Sequence, residues 1–596
     1  MAEGHVPETP EELPPEKRRI GVFVCHCGGN ISDYVDVAEV AEKAAAERGV
    51  VVSRTQMFSC SDAGQAEMIE EIRSKGLDAL VVASCSPKLH MLTFRTTSER
   101  AGLNPYEYVQ VNLREQCSWA HTDDRDGATE KGTSLVRAGI AKAAHTHPLE
   151  ALRVETAPRV LVVGAGVTGL RAALALADLG LEVHVAEQAP EAGGAVRRWG
   201  AMAPGEETGV DIVGGLLSRI RAHPGVFLHI GTELVAKQGS IGDFHLTLQD
   251  REGAATPLHV GAILVATGFD SYRPKPGEFG YGMEGVVTLP EFHDGADLEG
   301  PSLTFRGRPI GSLAFIYCVG SRQLESELHP EPNTWCSRYC CNATTHLAGR
   351  LIRQEQRGGV PLHQFHLYRD MRTYGSGEVL YEQARRGGAL FLRYGDDAPP
   401  TVEQDAGGLL VRVRDELTAE EEIEIPVDLV VLVTGMVPRA NPRLMEVLKL
   451  PLSKDGFLAE IHPKLRPVET MIDGVFIAGT AQGPKTMAES VASALAAVSK
   501  AGVLLKKGFV DLEPLIARVD TERCIWCEEC LKACPYGAVE RIMCDGKEIA
   551  HILASQCKGE GACVPVCPYG AIDIEGYTDA QITAMIDACA PARVGS

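Results

Sequence analysis

The chain has 596 residues, enough for roughly three to five domains, and an ordinary globular composition of 45% hydrophobic and 23% charged residues. Its formal net charge of −22 argues against nucleic acid or an anionic membrane surface as a partner. It has no run of about eighteen or more apolar residues, so we expect no transmembrane segment.

Residues 1–18 are rich in Glu and Pro and lack the apolar core of a signal peptide, so they are predicted to form a disordered tail. The chain contains 18 cysteines, several of them in Cys-x2-Cys spacing. Without a secretion signal, such spacing favours metal binding over disulfides, and we expect a cytoplasmic protein.

Residues 19–150 are predicted to form an α/β domain that carries one iron–sulfur cluster. Strands over 20–24, 50–54 and 79–83 alternate with helices over 35–48, 63–75 and 92–101. Cysteines follow the strands or lie beyond them, at Cys25, Cys27, Cys60, Cys85 and Cys117. Because strand ends converge on one face, we expect four ligands from these five and one spectator, with Cys25 and Cys27 too close to serve together easily. A buried free thiol is the alternative for any single cysteine.

A dinucleotide-binding fingerprint follows. A strand over 160–163, a glycine-rich turn, a helix and a strand over 182–186 form a βαβ unit. Its candidate contacts are Gly164, Gly166, Gly169 and Glu187. The glycines allow a tight turn, close approach of backbone amides to a pyrophosphate, and packing of helix on strand, while Glu187 can bond ribose hydroxyls and repel the extra phosphate of NADP.

Later motifs favour a flavin over a nicotinamide. They are Gly193 and Gly194, then Ala266, Thr267 and Gly268 at the end of a hydrophobic strand, and Gly479 and Thr480 at the end of another. Together they resemble the FAD-binding half of thioredoxin-reductase-like flavoproteins, which contain two dinucleotide-binding domains. In that family the last motif usually ends in an Asp that holds the ribityl chain, and Thr480 carries no charge. We therefore predict an FAD-binding domain in two halves, 157–300 and 438–508.

Residues 301–437 should be the inserted second dinucleotide-binding domain. A strand over 312–317 begins it, but the sequence Cys318-Val-Gly-Ser stands where a nicotinamide-binding glycine turn would start, so this domain is predicted to have lost NAD(P). Cys318, Cys336, Cys340 and Cys341 supply four thiolates, enough for one 4Fe–4S cluster. A disulfide is the alternative.

Gln482 and Lys485 precede a helix predicted over 487–501. In flavoproteins of this topology the start of that helix points at the flavin pyrimidine, where negative charge develops on reduction. Lys485 is placed to add positive charge there or to hydrogen-bond the flavin N5, and is the one candidate catalytic side chain. A solvated surface lysine is the alternative.

Residues 515–575 carry two bacterial ferredoxin cysteine runs, in which the fourth cysteine of each run ligates the other cluster. One predicted site is Cys524, Cys527, Cys530 and Cys567. The other has Cys534, Cys557 and Cys563, with Glu560 in the slot of a cysteine. We favour a complete cluster ligated by Glu560; ligation by another residue such as Cys544, a 3Fe–4S form and a labile cluster are the alternatives. Residues 576–596 are predicted to be a tail, with Cys589 a spectator.

The runs CHCGGN, CSDAGQ, SCSPKLH, REQCSW, GAGVTG, CVGSR and CSRYCC, followed by the ferredoxin runs, closely resemble the A subunit of heterodisulfide reductase over residues 19–590. The resemblance implies an α/β protein with a thioredoxin-reductase-like core, FAD and about four 4Fe–4S clusters, one of them in doubt at Glu560. It also implies partner subunits, a homodimer within a larger assembly, and flavin-based electron bifurcation with ferredoxin.

Two other functions compete with this one. A self-contained NAD(P)H:ferredoxin oxidoreductase, similar to the small subunit of glutamate synthase, would need a nicotinamide fingerprint near residue 317. A non-bifurcating relay would use the flavin only to pass electrons between partner subunits. The ultimate electron donor and acceptor stay open.

Overall fold

A computed structural model describes residues 14–405, 408–418 and 421–590. The chain divides into two compact units, one made of Met1–Arg153 and Asp511–Ser596 and the other of Val154–Val510. Most of the predicted N-terminal tail lies outside the described residues. Its end is ordered, because Pro15–Lys17 forms a 3₁₀ helix and the buried Arg18 guanidinium bonds Glu107 at 2.9 Å.

The first unit contains an N-terminal α/β domain built on a four-stranded parallel sheet. Its strands, in spatial order, are Val50–Gln56, Ile20–Cys25, Ala79–Ser84 and Tyr108–Asn112. Its helices are Val37–Ala45, Asp62–Lys75, Pro87–Ala101 and Arg125–Ala144. The two central strands are buried along their whole length, as expected for apolar runs covered by helices on both faces. The fourth strand and the last helix were not predicted.

The ferredoxin domain completes the first unit. Ala517–Val519 pairs with Ile572–Ile574 and Val539–Cys544 with Lys547–Ile552, all antiparallel, and Glu529–Ala533 is a short helix. The predicted C-terminal tail is wrong, because Asp579–Cys589 is a helix with a capping box at Thr578. That helix packs on Arg125–Ala144, and the Gln581 amide donates to the His145 carbonyl at 2.9 Å.

The second unit begins with the FAD-binding domain, a five-stranded parallel sheet joined to a three-stranded antiparallel sheet. The parallel strands, in spatial order, are Val475–Ile477, Ala262–Val265, Arg159–Val163, Glu182–Glu187 and Val226–Ile230. The antiparallel strands are Thr232–Ser240, Asp243–Asp250 and Ala255–Val260. The helices are Val167–Asp178, Gly209–Ala222, Pro442–Leu448 and Met487–Lys506.

The inserted domain repeats this architecture. Its parallel strands, in spatial order, are Val286–Thr288, Leu429–Thr434, Ser312–Val319, His363–Tyr368 and Leu390–Arg393. Its antiparallel strands are Thr401–Asp405, Gly408–Arg414 and Glu422–Val427, and its helices are Leu289–Gly295, Cys340–Gly358 and Ser376–Arg386. Two sheets of each kind confirm the predicted two-dinucleotide-domain core. The predicted boundary at residue 300 is wrong, because Val286–Thr288 already pairs with Leu429–Thr434.

One helix in the described part of the chain, Met487–Lys506, is long and apolar enough to cross a membrane by length and composition alone. Its small buried residues Ala494, Ala497 and Ala501 belong to the core of the FAD-binding domain, where the helix packs on Val167–Asp178. We interpret it as the core helix of that domain.

Candidate cofactor sites

The glycine turn after Arg159–Val163 forms a cradle that leaves no room for a side chain at Gly164 or at Gly169. Gly164 has a φ of 105°, and a Cβ there would lie 2.5 Å from the Ala266 carbonyl oxygen. A Cβ on Gly169 would overlap the Gly164 carbonyl oxygen. Gly166 begins the helix Val167–Asp178 without a side-chain cap, so the first-turn N–H groups are available to an anion.

A second glycine pair faces this cradle. The Gly193 N–H donates to the Ala165 carbonyl at 2.8 Å, and the Cβ position of Gly194 lies 3.0 Å from the Gly166 Cα. A Cβ on Gly166 would meet only the Gly194 Cα, at 4.0 Å. The result is a groove lined by backbone, which fits the pyrophosphate of a dinucleotide.

Glu187 is held at the end of its strand by two backbone groups. Its carboxylate accepts hydrogen bonds from the Ala165 N–H at 2.8 Å and the Ala189 N–H at 2.9 Å. The carboxylate is therefore fixed beside the glycine turn, in the position that a ribose-binding acid requires.

The two later flavin motifs lie side by side. The Cβ position of Gly268 is 3.9 Å from the Thr480 Oγ1. The Arg439 guanidinium donates to the Thr267 carbonyl at 2.8 Å, and Ala266 is buried. The Gly479 N–H donates to the Ser493 Oγ at 3.2 Å.

The side chain of Gln482 is already engaged by the protein. Its amide N–H donates to the Pro467 carbonyl at 2.5 Å, and its Oε1 accepts from the Ser493 hydroxyl at 3.0 Å. Its backbone, just before the helix Met487–Lys506, is the part left for a cofactor contact.

Lys485 is half-buried just before the same helix. Burial lowers the pKa of its ammonium group, Glu460 and Glu489 act in the opposite direction, and Arg338 lowers it further. Arg338 forms an ion pair with Glu489, in the first turn of that helix. The predicted flavin lysine therefore shares its electrostatic surroundings with the segment that carries Cys336 and Cys340.

The four cysteines of the inserted domain come together. Cys318 has a φ of 62° at an irregularity of its strand, and Cys340 and Cys341 begin the helix Cys340–Gly358. A hydrogen bond between these two thiols raises the pKa of Cys340 and lowers that of Cys341 to about 7. The charges of Cys318 and Cys336 add to the rise at Cys340. All 18 cysteines are free thiols, so the disulfide alternative is not found.

Arginines surround this group, and sequence reasoning missed them. Arg369 lowers the pKa of the Cys318 thiol against the larger effect of its burial, and Arg322 and Arg372 lower that of Cys341. Positive charge beside a set of thiolates favours the deprotonated form that binds iron. Arginine is common throughout the chain, so the pattern gives no signal before the strands are assembled.

A tyrosine packs on the turn of this domain at which a nicotinamide-binding glycine motif would start. Gly320 has a φ of 75°, and its Cβ position would overlap the ring of Tyr272. The Tyr272 hydroxyl donates to the buried Glu278 carboxylate at 2.8 Å, which holds the ring in place. The Tyr272 ring is therefore packed directly against this turn.

Four of the five N-terminal cysteines form one group around Arg114. The Arg114 guanidinium donates to the Cys27 Sγ at 3.5 Å and lies 4.7 Å from the ring centroid of Trp119. The pKa of Cys85 is raised to about 11, mainly by burial and also by the charges of Cys27 and Cys60, while Arg114 acts to lower it. Burial also raises the pKa of Cys60, and Cys25 and Cys27 add to that rise.

Cys117 lies apart from the other four N-terminal cysteines. Cys117 is fully buried in the domain core and donates to the Ala128 carbonyl at 2.9 Å. Burial raises its pKa, and the one side-chain charge that lowers it is that of Lys131. Cys25 and Cys27 thus lie in the same group and Cys117 lies outside it, whereas the sequence analysis expected the spectator to be one of Cys25 and Cys27. The π-helical segment Arg114–Ser118 directs the Cys117 thiol into the core.

The first ferredoxin cysteine set surrounds a cavity. The four predicted ligands, Cys524, Cys527, Cys530 and Cys567, all line it. The Ala550 N–H points at the Cys524 Sγ and the Ala571 N–H at the Cys567 Sγ, each at 3.3 Å. Backbone donors to thiolate sulfur stabilise the charge of a bound cluster.

The second ferredoxin set has three thiols and an outward glutamate. The Ala538 N–H points at the Cys534 Sγ at 3.3 Å, and burial raises the pKa of Cys563 to about 11, with Cys557 and Cys534 adding to it. Glu560 is exposed, and its carboxylate accepts a hydrogen bond from the Tyr536 hydroxyl. That bond raises the pKa of Tyr536 to about 12.

The two remaining cysteines differ in their surroundings. The Cys544 thiol, at a hairpin end, donates to Asp545 at 3.8 Å. Cys544 also packs against the hydrophobic cluster that contains Cys524 and Cys530. Cys589 is exposed and donates to the Ser134 carbonyl at 3.8 Å.

Two segments match known family models. Residues 517–574 match a 4Fe-4S dicluster domain, and residues 162–225 match an NAD(P)-binding Rossmann-like domain. The second match covers the glycine cradle of the FAD-binding domain and stops short of the inserted domain.

Several curated proteins resemble nearly the whole chain. One of two iron-sulfur A subunits of the CoB–CoM heterodisulfide reductase of Methanopyrus kandleri, the one numbered 2, is 36% identical over 90% of this chain and 93% of its own length. The A subunit of the H(2):CoB-CoM heterodisulfide,ferredoxin reductase of Methanothermobacter thermautotrophicus is 34% identical over 89% and 92%. Among solved structures, T. acidophilum thioredoxin reductase covers 59% of this chain and 99% of its own at 16% identity, with a TM-score of 0.38.

Proposed function

This chain belongs to the family of heterodisulfide reductase iron–sulfur A subunits, and on that premise we propose that it splits electron pairs at FAD within a larger redox complex. It is an oxidoreductase subunit that carries FAD and iron–sulfur clusters and transfers electrons between them. The electron transfer that we propose is flavin-based bifurcation, or its reverse, with ferredoxin.

The observation that carries the proposal is the shared surroundings of Lys485 and the cysteines of the inserted domain. Arg338 lies between Cys336 and Cys340 in the sequence and forms an ion pair with Glu489, in the first turn of the helix Met487–Lys506. Its charge also lowers the pKa of Lys485. A two-electron cofactor and a one-electron cofactor held in this way would exchange electrons directly. FAD accepts electrons in pairs or singly, whereas a cluster carries one at a time.

The residues that would hold the groups follow from the geometry. FAD would bind the glycine cradle with Glu187 on its ribose, and Lys485 would face the flavin ring. The proposed cluster ligands are Cys25, Cys27, Cys60 and Cys85; Cys318, Cys336, Cys340 and Cys341; Cys524, Cys527, Cys530 and Cys567; and Cys534, Cys557 and Cys563 with Glu560.

The chain's own side chains would tune this chemistry. The ammonium group of Lys485 favours negative charge at its end of the flavin, which raises the potential of the bound cofactor. Arg322 and Arg369 would act in the same sense on the cluster of the inserted domain, and Arg114 on the N-terminal one. The protein thus sets potentials and distances while the cofactors carry the electrons.

The partners proposed here follow the names of the relatives. The names of some relatives include ferredoxin, so we propose ferredoxin as the low-potential partner. The curated relatives described above are each named as one subunit of a reductase, so we propose further subunits for the other acceptor. We also propose a homodimer within that assembly and a cytoplasmic, reducing location, which suits cysteines that form no disulfide.

Anaerobic mixing tests the proposal against a self-contained NAD(P)H oxidoreductase. We expect the flavin absorbance of the purified chain to be unchanged by NADH or NADPH, since Tyr272 occupies the nicotinamide turn. Reduced ferredoxin should bleach it. Rapid bleaching by either nicotinamide, with none by reduced ferredoxin, would contradict the proposal. The matched control is Tyr272→Phe, which removes the hydroxyl bond and keeps the ring over Gly320.

A further inference from the structure

A group of two histidines and one aspartate lies on the outward face of the three-stranded antiparallel sheet, apart from every proposed redox site. Side chains alternate along Asp243–Asp250, so Asp243 and His245 share one face while Phe244, Leu246 and Leu248 fill the core on the other. His259 is the direct cross-strand partner of His245. The pleat and the register alone bring the three side chains together.

The ligand atoms of this group converge. The His259 Nε2 lies 2.6 Å and the His245 Nε2 3.4 Å from the Asp243 Oδ1. The two imidazole rings are parallel within 5°, with centroids 4.6 Å apart, and the three candidate ligand atoms all lie within 4.8 Å of one another. The side chains remain 60%, 51% and 41% exposed for His245, Asp243 and His259, so a metal ion can reach them from solvent.

We propose that Asp243, His245 and His259 bind one divalent transition-metal ion of borderline softness, with Zn²⁺ as the reference ion. Imidazole nitrogen and carboxylate oxygen suit such ions, whereas the thiol sets of this chain suit iron–sulfur clusters. Three protein ligands on an exposed face leave at least one coordination position for water or for a side chain of another molecule. The site would therefore be open and separate from the electron path.

A second pair of stacked histidines in the same domain lacks the convergent ligand atoms of this group. His184 and His229 also stack across neighbouring strands, but both ring nitrogens of His184 are engaged, one by His229 and one by Glu182, each at 3.0 Å. Within the described part of the chain, no three ligand atoms converge around this pair as they do at His245. His229→Gln is therefore the matched control for removal of a stacked histidine.

The test uses the anaerobic protein with FAD and clusters bound and one equivalent of Zn²⁺. We expect calorimetry to show one site that is retained in His229→Gln and lost in both His245→Gln and His259→Gln. Zinc X-ray absorption should show only nitrogen and oxygen ligands, at about 2.0–2.1 Å. FAD content should be unchanged in all three variants, because His245 and His259 lie on the outward face of their sheet and none of the three side chains is fully buried.

Three results would overturn the proposal. One is equal zinc binding by the wild-type protein and by a His245→Gln/His259→Gln double variant. The other is a zinc–sulfur shell near about 2.3 Å, which would place the ion on cysteines. Absence of binding by the wild-type protein at one equivalent would count equally against it.

Discussion

A side chain at Gly166 is expected to weaken FAD binding more than it destabilises the fold. A Cβ there meets only the Gly194 Cα, at 4.0 Å, so Gly166→Val should leave the apoprotein folded while filling the space of the pyrophosphate. We expect the variant to purify with little FAD, measured by absorbance after denaturation.

The matched control for that variant is Gly215→Ala. Gly215 lies on the helix Gly209–Ala222, where a Cβ meets nothing within 4 Å. FAD content should be unchanged, and stability should rise by about 0.5–1 kcal/mol, because alanine is the better helix former. Full FAD retention in Gly166→Val would show that the cradle is not the pyrophosphate site.

Lys485 should raise the potential of the bound flavin. Replacing it with Gln removes a half-buried positive charge, so the two-electron potential should fall by on the order of 30 mV, which corresponds to about 1.4 kcal/mol. Redox titration of the flavin band measures this. Lys464→Gln, at an exposed position, is the control and should change nothing. An unchanged potential in Lys485→Gln would instead show that the charge of Lys485 does not act on the flavin.

Glu560 breaks the ferredoxin pattern, and its carboxylate is a harder ligand than thiolate. If it ligates the unique iron, Glu560→Ala should give a three-iron cluster, and Glu560→Cys an ordinary cluster of shifted potential. Tyr536→Phe removes the hydrogen bond to Glu560 but keeps the carboxylate, so it should retain four irons. An oxidised three-iron EPR signal of about one spin per chain in anaerobic wild-type protein would rule out Glu560 ligation.

At the scale of elements, the helix start at Cys340 is the structural basis of the cluster proposed in the inserted domain. Cys340→Ser should lower iron content by about four atoms, because one thiolate of the set is lost. Cys117→Ser is the control: its thiol lies in the N-terminal core, so iron should be unchanged. Equal iron in wild type and Cys340→Ser would contradict a cluster at this helix start.

Sequence patterns predicted most of the elements near the candidate sites. Apolar runs followed by glycine turns or cysteines are local signals, so the strands Ile20–Cys25, Arg159–Val163 and Ser312–Val319 lie within a few residues of their predicted positions. The edge strand Tyr108–Asn112 was missed, because its alternation is short and partly polar. The helix Asp579–Cys589 was also missed, because it has few apolar residues and buries only Gln581.

Site chemistry was less predictable than the elements. Cysteine spacing identified the ferredoxin sets, since those ligands are local in sequence. It could not place Cys117 in the domain core, because the direction of this thiol depends on a π-helical turn, and it could not find Arg114 beside Cys27. The space over Gly320 is likewise filled by Tyr272, 48 positions earlier, which no local pattern reveals.

At the scale of the whole molecule, the two terminal cysteine-rich domains form one compact unit although several hundred residues separate them in sequence. The helix Asp579–Cys589 packs on Arg125–Ala144, and Glu575 pairs with His147 at 2.9 Å. The unit thus groups the proposed N-terminal and ferredoxin cluster sites, while the other unit holds the FAD cradle and the remaining cysteine set.

The central claim is that FAD converts electron pairs into single electrons, and its two one-electron potentials decide the matter. In an anaerobic spectroelectrochemical titration, bifurcation requires crossed potentials, so the flavin band should follow a single two-electron step with a slope of about 30 mV per tenfold change in the ratio of reduced to oxidised flavin. Two resolved one-electron steps of about 59 mV each would contradict the proposal and leave the flavin as a simple relay.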